Sequence, residues 1–191
     1  MQFSISVVAA FAGLSLAAPY IKARQQNACF ITGTTTLPQI VADDVAQLEP
    51  LVTCDTANPT IGGVPDVEVR GTKFSSINFE GSGQSPLAFA LEKFATSDPL
   101  AENDLDKFQA ELAVYVATEA AMRSNGANVN QIKIPKFFLE LQVSRIGVAQ
   151  GETIPEAGHQ VDHLLGKVQE NGAGEDKALL DQVVALAAKL S

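Results

Sequence analysis

The sequence predicts a mainly helical α+β domain: a bundle of four to five helices with a small disulfide-closed β or irregular part on its N-terminal side. Three observations predict it. Hydrophobic residues fall in short, turn-broken runs up to about Phe79 and at helical spacing from Ser85 onward. The chain has only two cysteines, Cys29 and Cys54, and both lie in the first of these parts. Hydrophobic residues make up 46% of the 191 and charged residues 18%, enough apolar content for one folded core.

Taken in order, the chain begins with an apolar run from Val7 to Ala18. Its length fits a signal-peptide core and falls short of the ~20 residues of a membrane span. Ser15 and Ala17 are the small residues at −3 and −1 of a cut after Ala17, so 1–17 reads as a signal peptide. Lys22 and Arg24 then offer a trimming point, which makes 18–24 a short propeptide and 25–191 a single globular domain. Within that domain 25–82 reads as β or irregular and 85–191 as helical. The Ala17-Ala18-Pro19 junction with its short basic piece resembles the precursors of small secreted proteins of filamentous fungi. The resemblance covers about the first 25 residues and implies export to the cell exterior.

In an oxidising compartment the two cysteines are expected to form one disulfide, Cys29–Cys54. Closing that loop should contribute on the order of 3 kcal/mol by restricting the unfolded chain. Between the cysteines, Ile40, Val41, Val45 and Leu48 stripe a short helix with Pro38 in its first turn. Val67 and Val69, followed by Phe74, Ile77 and Phe79, alternate around Arg70–Gly71 as one or two half-buried strands. The stretch from Gly81 to Gln84 is a turn between the halves.

Ser85 and Pro86 open a helix to about Ala95. Asn103 or Asp104 caps the next, striped by Leu105, Phe108, Leu112, Tyr115, Val116 and Met122 and stopped at Asn125–Gly126. Lys136 to Val148, with Pro135 just before it, is apolar around most of the wheel and is expected to be the most buried element. Thr153 to Glu156 matches a capping box ahead of Ala157, Val161, Leu164, Leu165 and Val168. Glu175–Asp176 opens the last helix, striped by Leu179, Val183, Leu186 and Leu190.

Candidate chemistry is sparse. The two histidines of the chain, His159 and His163, are spaced i and i+4, with Glu156 three residues ahead. On one helix such a set can share Zn²⁺ or Cu²⁺. Measured on a helical wheel from the apolar stripe, however, both imidazoles lie about 160° away and face solvent, so no metal site and no cofactor is expected. Asp98, Glu102, Asp104 and Asp106 lack the order of a calcium loop and suit a helix start instead. No Gly-x-Ser-x-Gly or phosphate loop is present.

Charge narrows the partners. The net charge is −9, and removal of 1–24 takes away Lys22 and Arg24 and no acid, leaving −11. Nucleic acid and anionic membrane would be repelled. The reading expected from all this is a secreted, non-enzymatic interaction protein. It would be effector-like or surface-associated, a virulence factor in that sense, and would bind a protein or cell-wall partner of basic character. An alternative is an extracellular carrier holding a small apolar ligand among Phe89, Phe94, Phe108, Phe137 and Phe138. A weaker third is a metal-dependent hydrolase built on His159, His163 and Glu156.

Overall fold

A computed structural model describes residues 28–190 of the chain, so the signal-peptide and propeptide readings for 1–17 and 18–24 lie outside the described residues. Within them the architecture is mainly helical with a small sheet. Six helices are present: α1 (Gln39–Leu48), α2 (Pro86–Lys93), α3 (Leu105–Ser124), α4 (Asn130–Ala149), α5 (Val161–Asn171) and α6 (Lys177–Ala187). Three short strands, β1 (Thr53–Asp55), β2 (Asp66–Val69) and β3 (Thr72–Lys73), form an antiparallel sheet in the order β1-β2-β3. Five of the six helices follow the turn at 81–84, and the sheet and α1 precede it.

Local chemistry explains the boundaries. The β2–β3 hairpin turns at Arg70 and Gly71, whose φ values of 49° and 83° give two consecutive left-handed residues, as a tight two-residue hairpin requires. Ser85 accepts from the Ala88 amide at the start of α2, Asp104 from Lys107 at α3, and Asp176 from Ala178 at α6. Cys54 on β1 bonds Cys29, tying the described start of the chain to the sheet.

Boundaries and faces differ from the sequence reading at several places. The strand expected through Phe74, Ile77 and Phe79 ends at Lys73, and Phe74–Ser76 is a 3₁₀ turn. Helix α4 starts at Asn130, not Lys136, and Pro135 lies inside it. Pro135 is only a turn and a half in, where its missing N–H forfeits one bond, to the carbonyl of the exposed Gln131. Helix α5 starts at Val161 with Gln160 as an uncapped N-cap, so the expected capping box at Thr153–Glu156 is unused. A separate 3₁₀ turn spans Ala157–His159 ahead of it. In α1 the buried residues are Ala42 and Val45, while Ile40, expected in the apolar stripe, is 73% exposed.

Burial is shared between α3 and α4. Leu139, Leu141 and Ile146 of α4 are fully buried, but so is the α3 run through Ala117, Thr118, Ala120 and Ala121. Helix α3 packs against α1 and β2 as well as α4, and its alanines let those neighbours approach closely. Tyr115 stands at the centre of this core, its ring edge-on to Phe74 at 5.2 Å and Phe94 at 5.8 Å. Its hydroxyl donates to the Ile77 carbonyl at 2.7 Å.

The chain after Cys29 is stitched to the far end of α3. The Gly33 amide donates to Ser124 Oγ at 3.1 Å, and the Thr35 amide to the Ser124 carbonyl at 2.9 Å. A Cβ on Gly33 would lie 2.0 Å from that carbonyl oxygen, so the close approach requires glycine. Gly33→Ala is therefore expected to cost about 3 kcal/mol in urea unfolding, because backbone and not a pliable side chain must move. Gly158→Ala, whose Cβ would meet nothing within 4 Å, is the control and should stay within about 0.5 kcal/mol.

Candidate functional site

The titratable groups with the most disturbed surroundings converge where α1, α3, α4 and the 157–159 turn meet. Glu119 of α3 is almost fully buried and accepts from two cations. Arg123 Nε and Nη2, one turn along, donate to its Oε1 at 2.8 and 2.6 Å, and Lys136 Nζ of α4 reaches its Oε2 at 2.8 Å. Burial opposes its charge, but the Lys136 ammonium and the Arg123 guanidinium win and hold it below the usual glutamate range.

One turn after Lys136, Glu140 accepts from His159 Nδ1 at 2.9 Å. That hydrogen bond outweighs desolvation, and with Glu140, Glu156 and Asp44 nearby it raises the His159 pKa above 6.5. Asp44 approaches from α1, half-buried. Among the described residues it has neither a hydrogen bond nor an ion pair from its side chain. Burial pushes its pKa up to about 6; Lys136 opposes the rise, while Glu140 and Glu119 add to it.

The signs of these shifts fix a pH dependence. Asp44 binds a proton more readily folded than unfolded, so its ionisation weakens the fold as pH rises from about 4 to about 6. His159, raised, adds stability that is complete below 6.5 and is lost as pH climbs through its folded value. Glu119, depressed, adds stability present above 4.5 and lost as pH falls through its lower folded value. Melting temperatures should thus be higher near pH 5 than at pH 8 and fall again in stronger acid. In Asp44→Asn the part of the decline between pH 4 and 6 should shrink.

The sequence-predicted residues fare differently. Cys29 and Cys54 are bonded to each other. His159 and His163 do not share a helix: His159 sits in the 3₁₀ turn and His163 in the first turn of α5, both exposed. His159 therefore has no place on the wheel of α5, because that helix begins only at Val161. Among the described residues no group of three or more His, Cys, Asp or Glu side chains is placed to hold a metal ion.

Of the phenylalanines, Phe94, Phe108 and Phe138 are buried, with Phe94 packed edge-on against Phe89 at 6.0 Å; Phe89 and Phe137 are half-buried. Asp104 caps α3 and Asp106 pairs with Arg70 at 2.8 Å, so this acidic group serves the helix start and the β2–β3 turn. The Asp44, Glu119, Lys136 and Glu140 group was missed. Glu119 carried a readable signal, since it stands in a buried alanine run with Arg123 at i+4.

A second polar site serves the fold. Arg145 of α4 is buried, and among the described residues it pairs with no carboxylate. Its Nε and Nη2 donate to the Lys189 carbonyl at 3.2 and 2.9 Å, beyond the C-terminal end of α6, where a cation complements the helix dipole. Desolvation lowers its pKa. Gln142 joins it and donates to the Phe94 carbonyl at 2.9 Å, so the pair binds the ends of α2 and α6 to α4.

No helix among the described residues is long and apolar enough to cross a membrane. A family model described as Domain of unknown function (DUF7143) matches residues 31–191. No curated protein and no solved structure matches the chain.

Proposed function

The chain belongs to the DUF7143 family, and within it we propose that this protein is a secreted, non-enzymatic interaction domain that binds a basic host or cell-wall partner. The observation that carries this reading is the outward face of α1. Ile40, 73% exposed, lies there beside Asp43, Asp44 and Gln47, and Leu51, 53% exposed, follows the helix. A large aliphatic side chain left in water next to carboxylates that form no ion pair among the described residues suits a partner segment that carries both cations and apolar groups. The excess of acid over base in the whole chain, 22 against 13, steers such a partner toward it. The apolar start of the chain and the disulfide support an exported, effector-like role in an oxidising environment.

The test is capture of partners by the oxidised protein from its natural surroundings at low and high salt, with Ile40→Ser alongside. Binding should weaken with salt and drop at least several-fold in Ile40→Ser. Binding indifferent to salt, or absent for every basic partner tried, would sink the reading.

A further inference from the structure

The segment between α4 and α5, residues 150–160, runs over the flank of α4 with most of its residues exposed. Its own bonds are local: Gly151 and Glu152 close onto the end of α4, the His159 amide bonds the Glu156 carbonyl, and the Gln160 side chain bonds the Ile154 carbonyl. At its near end Gln150 is anchored to the carbonyls of Ala101 and Asn103. Among the described residues, the one side-chain bond from 151–160 to a helix is His159 to Glu140. The side chain that ties the far half of the segment to α4 is therefore the His159 imidazole, while its last residue, Gln160, is held by the Leu164 amide of α5.

We propose that residues 151–160 are a pH-sensitive strap, latched onto α4 by charged His159 and loosened when His159 becomes neutral. The charged groups acting on the latch are Glu140 from α4, Glu156 from the strap itself and Asp44 from α1; behind them, Lys136 of α4 and Glu119 of α3 act on Asp44, and Arg123 of α3 acts on Glu119. Lys136 and Arg123 are committed to Glu119, so Glu140 has His159 as its own cation. A charge-assisted bond is roughly twice as strong as a neutral one, so losing the proton weakens the latch without removing the donor N–H. As pH rises Asp44 ionises first and adds a negative charge beside His159, which strengthens the closed strap. Above the folded value of His159 the imidazole loses its charge and the strap opens more often. Fully titrated, the cluster has gained one negative charge and lost one positive charge next to the outward face of α1.

The strap contains two glutamates, Glu152 and Glu156, so a glutamate-specific endoprotease reads its opening directly. Cleavage of the oxidised full chain is measured from pH 5.5 to 8.5 and divided by cleavage of a free peptide spanning 150–160. The normalised rate for the wild type should rise several-fold across the range. In His159→Gln, which keeps a neutral donor, it should be flat, and in Asp44→Asn the rise should move to lower pH. Glu140→Gln gives a second latch-free variant and should match His159→Gln, and circular dichroism confirms that each variant is folded. A wild-type profile that follows His159→Gln, whether flat or rising, would overturn the proposal. This result is separate from partner binding, which depends on Ile40.

Discussion

Tyr115→Ala is expected to lower the unfolding free energy by about 4 kcal/mol, the largest loss from any single truncation in this core. The ring is fully buried and joins the two halves of the molecule: Phe74 belongs to the sheet side and Phe94 to the end of α2. Alanine removes both edge-on contacts and leaves a cavity that three elements would have to collapse to fill. Tyr115→Phe separates the terms. It keeps the ring and strands only the buried Ile77 carbonyl, for a cost of about 1–3 kcal/mol. Urea denaturation of both variants checks this, and equal losses would mean that the hydroxyl, not the ring packing, dominates.

Glu119→Gln is expected to cost about 3 kcal/mol. The glutamine fills the same space but leaves Lys136 and Arg123, only 16% and 24% exposed at their side chains, without the carboxylate that balances them. The exposed pair Lys177–Asp181 has similar geometry at 2.6 Å with both side chains mostly in water. Asp181→Asn should therefore change stability by no more than about 0.5 kcal/mol. If the two substitutions cost the same, burial of Glu119 contributes nothing.

What the sequence made legible follows from how local each signal is. The caps at Ser85, Asp104 and Asp176 are decided within four residues, and they stand at positions the spacing offered, with Asp104 taken over Asn103; the strands around Arg70–Gly71 form, but only as far as Lys73. The disulfide needed only two cysteines and an oxidising compartment. Pro135 misled because a proline usually marks a boundary, whereas one in the second turn loses a single bond that solvent can replace. His159 misled because His159 and His163 match a continuous helix on paper, while Gly158 disfavours one and Glu140 rewards the 3₁₀ alternative. The acid–base cluster joins residues 44, 119, 136, 140 and 159 from four elements, and no short window of sequence holds that pattern.

The seam between Gly33 and Ser124 also constrains how the chain is made. These residues are separated by 91 positions, so at ribosomal speeds about 5 to 20 s pass between their synthesis. Until α3 emerges, Gly33 and Thr35 have no Ser124 to bond to, and Phe74 and the Ile77 carbonyl have no Tyr115. The first third of the protein is thus dependent on the second for completion. Anything that holds unfolded chains apart during that interval would raise the yield of native protein more than it would change the stability of the finished fold.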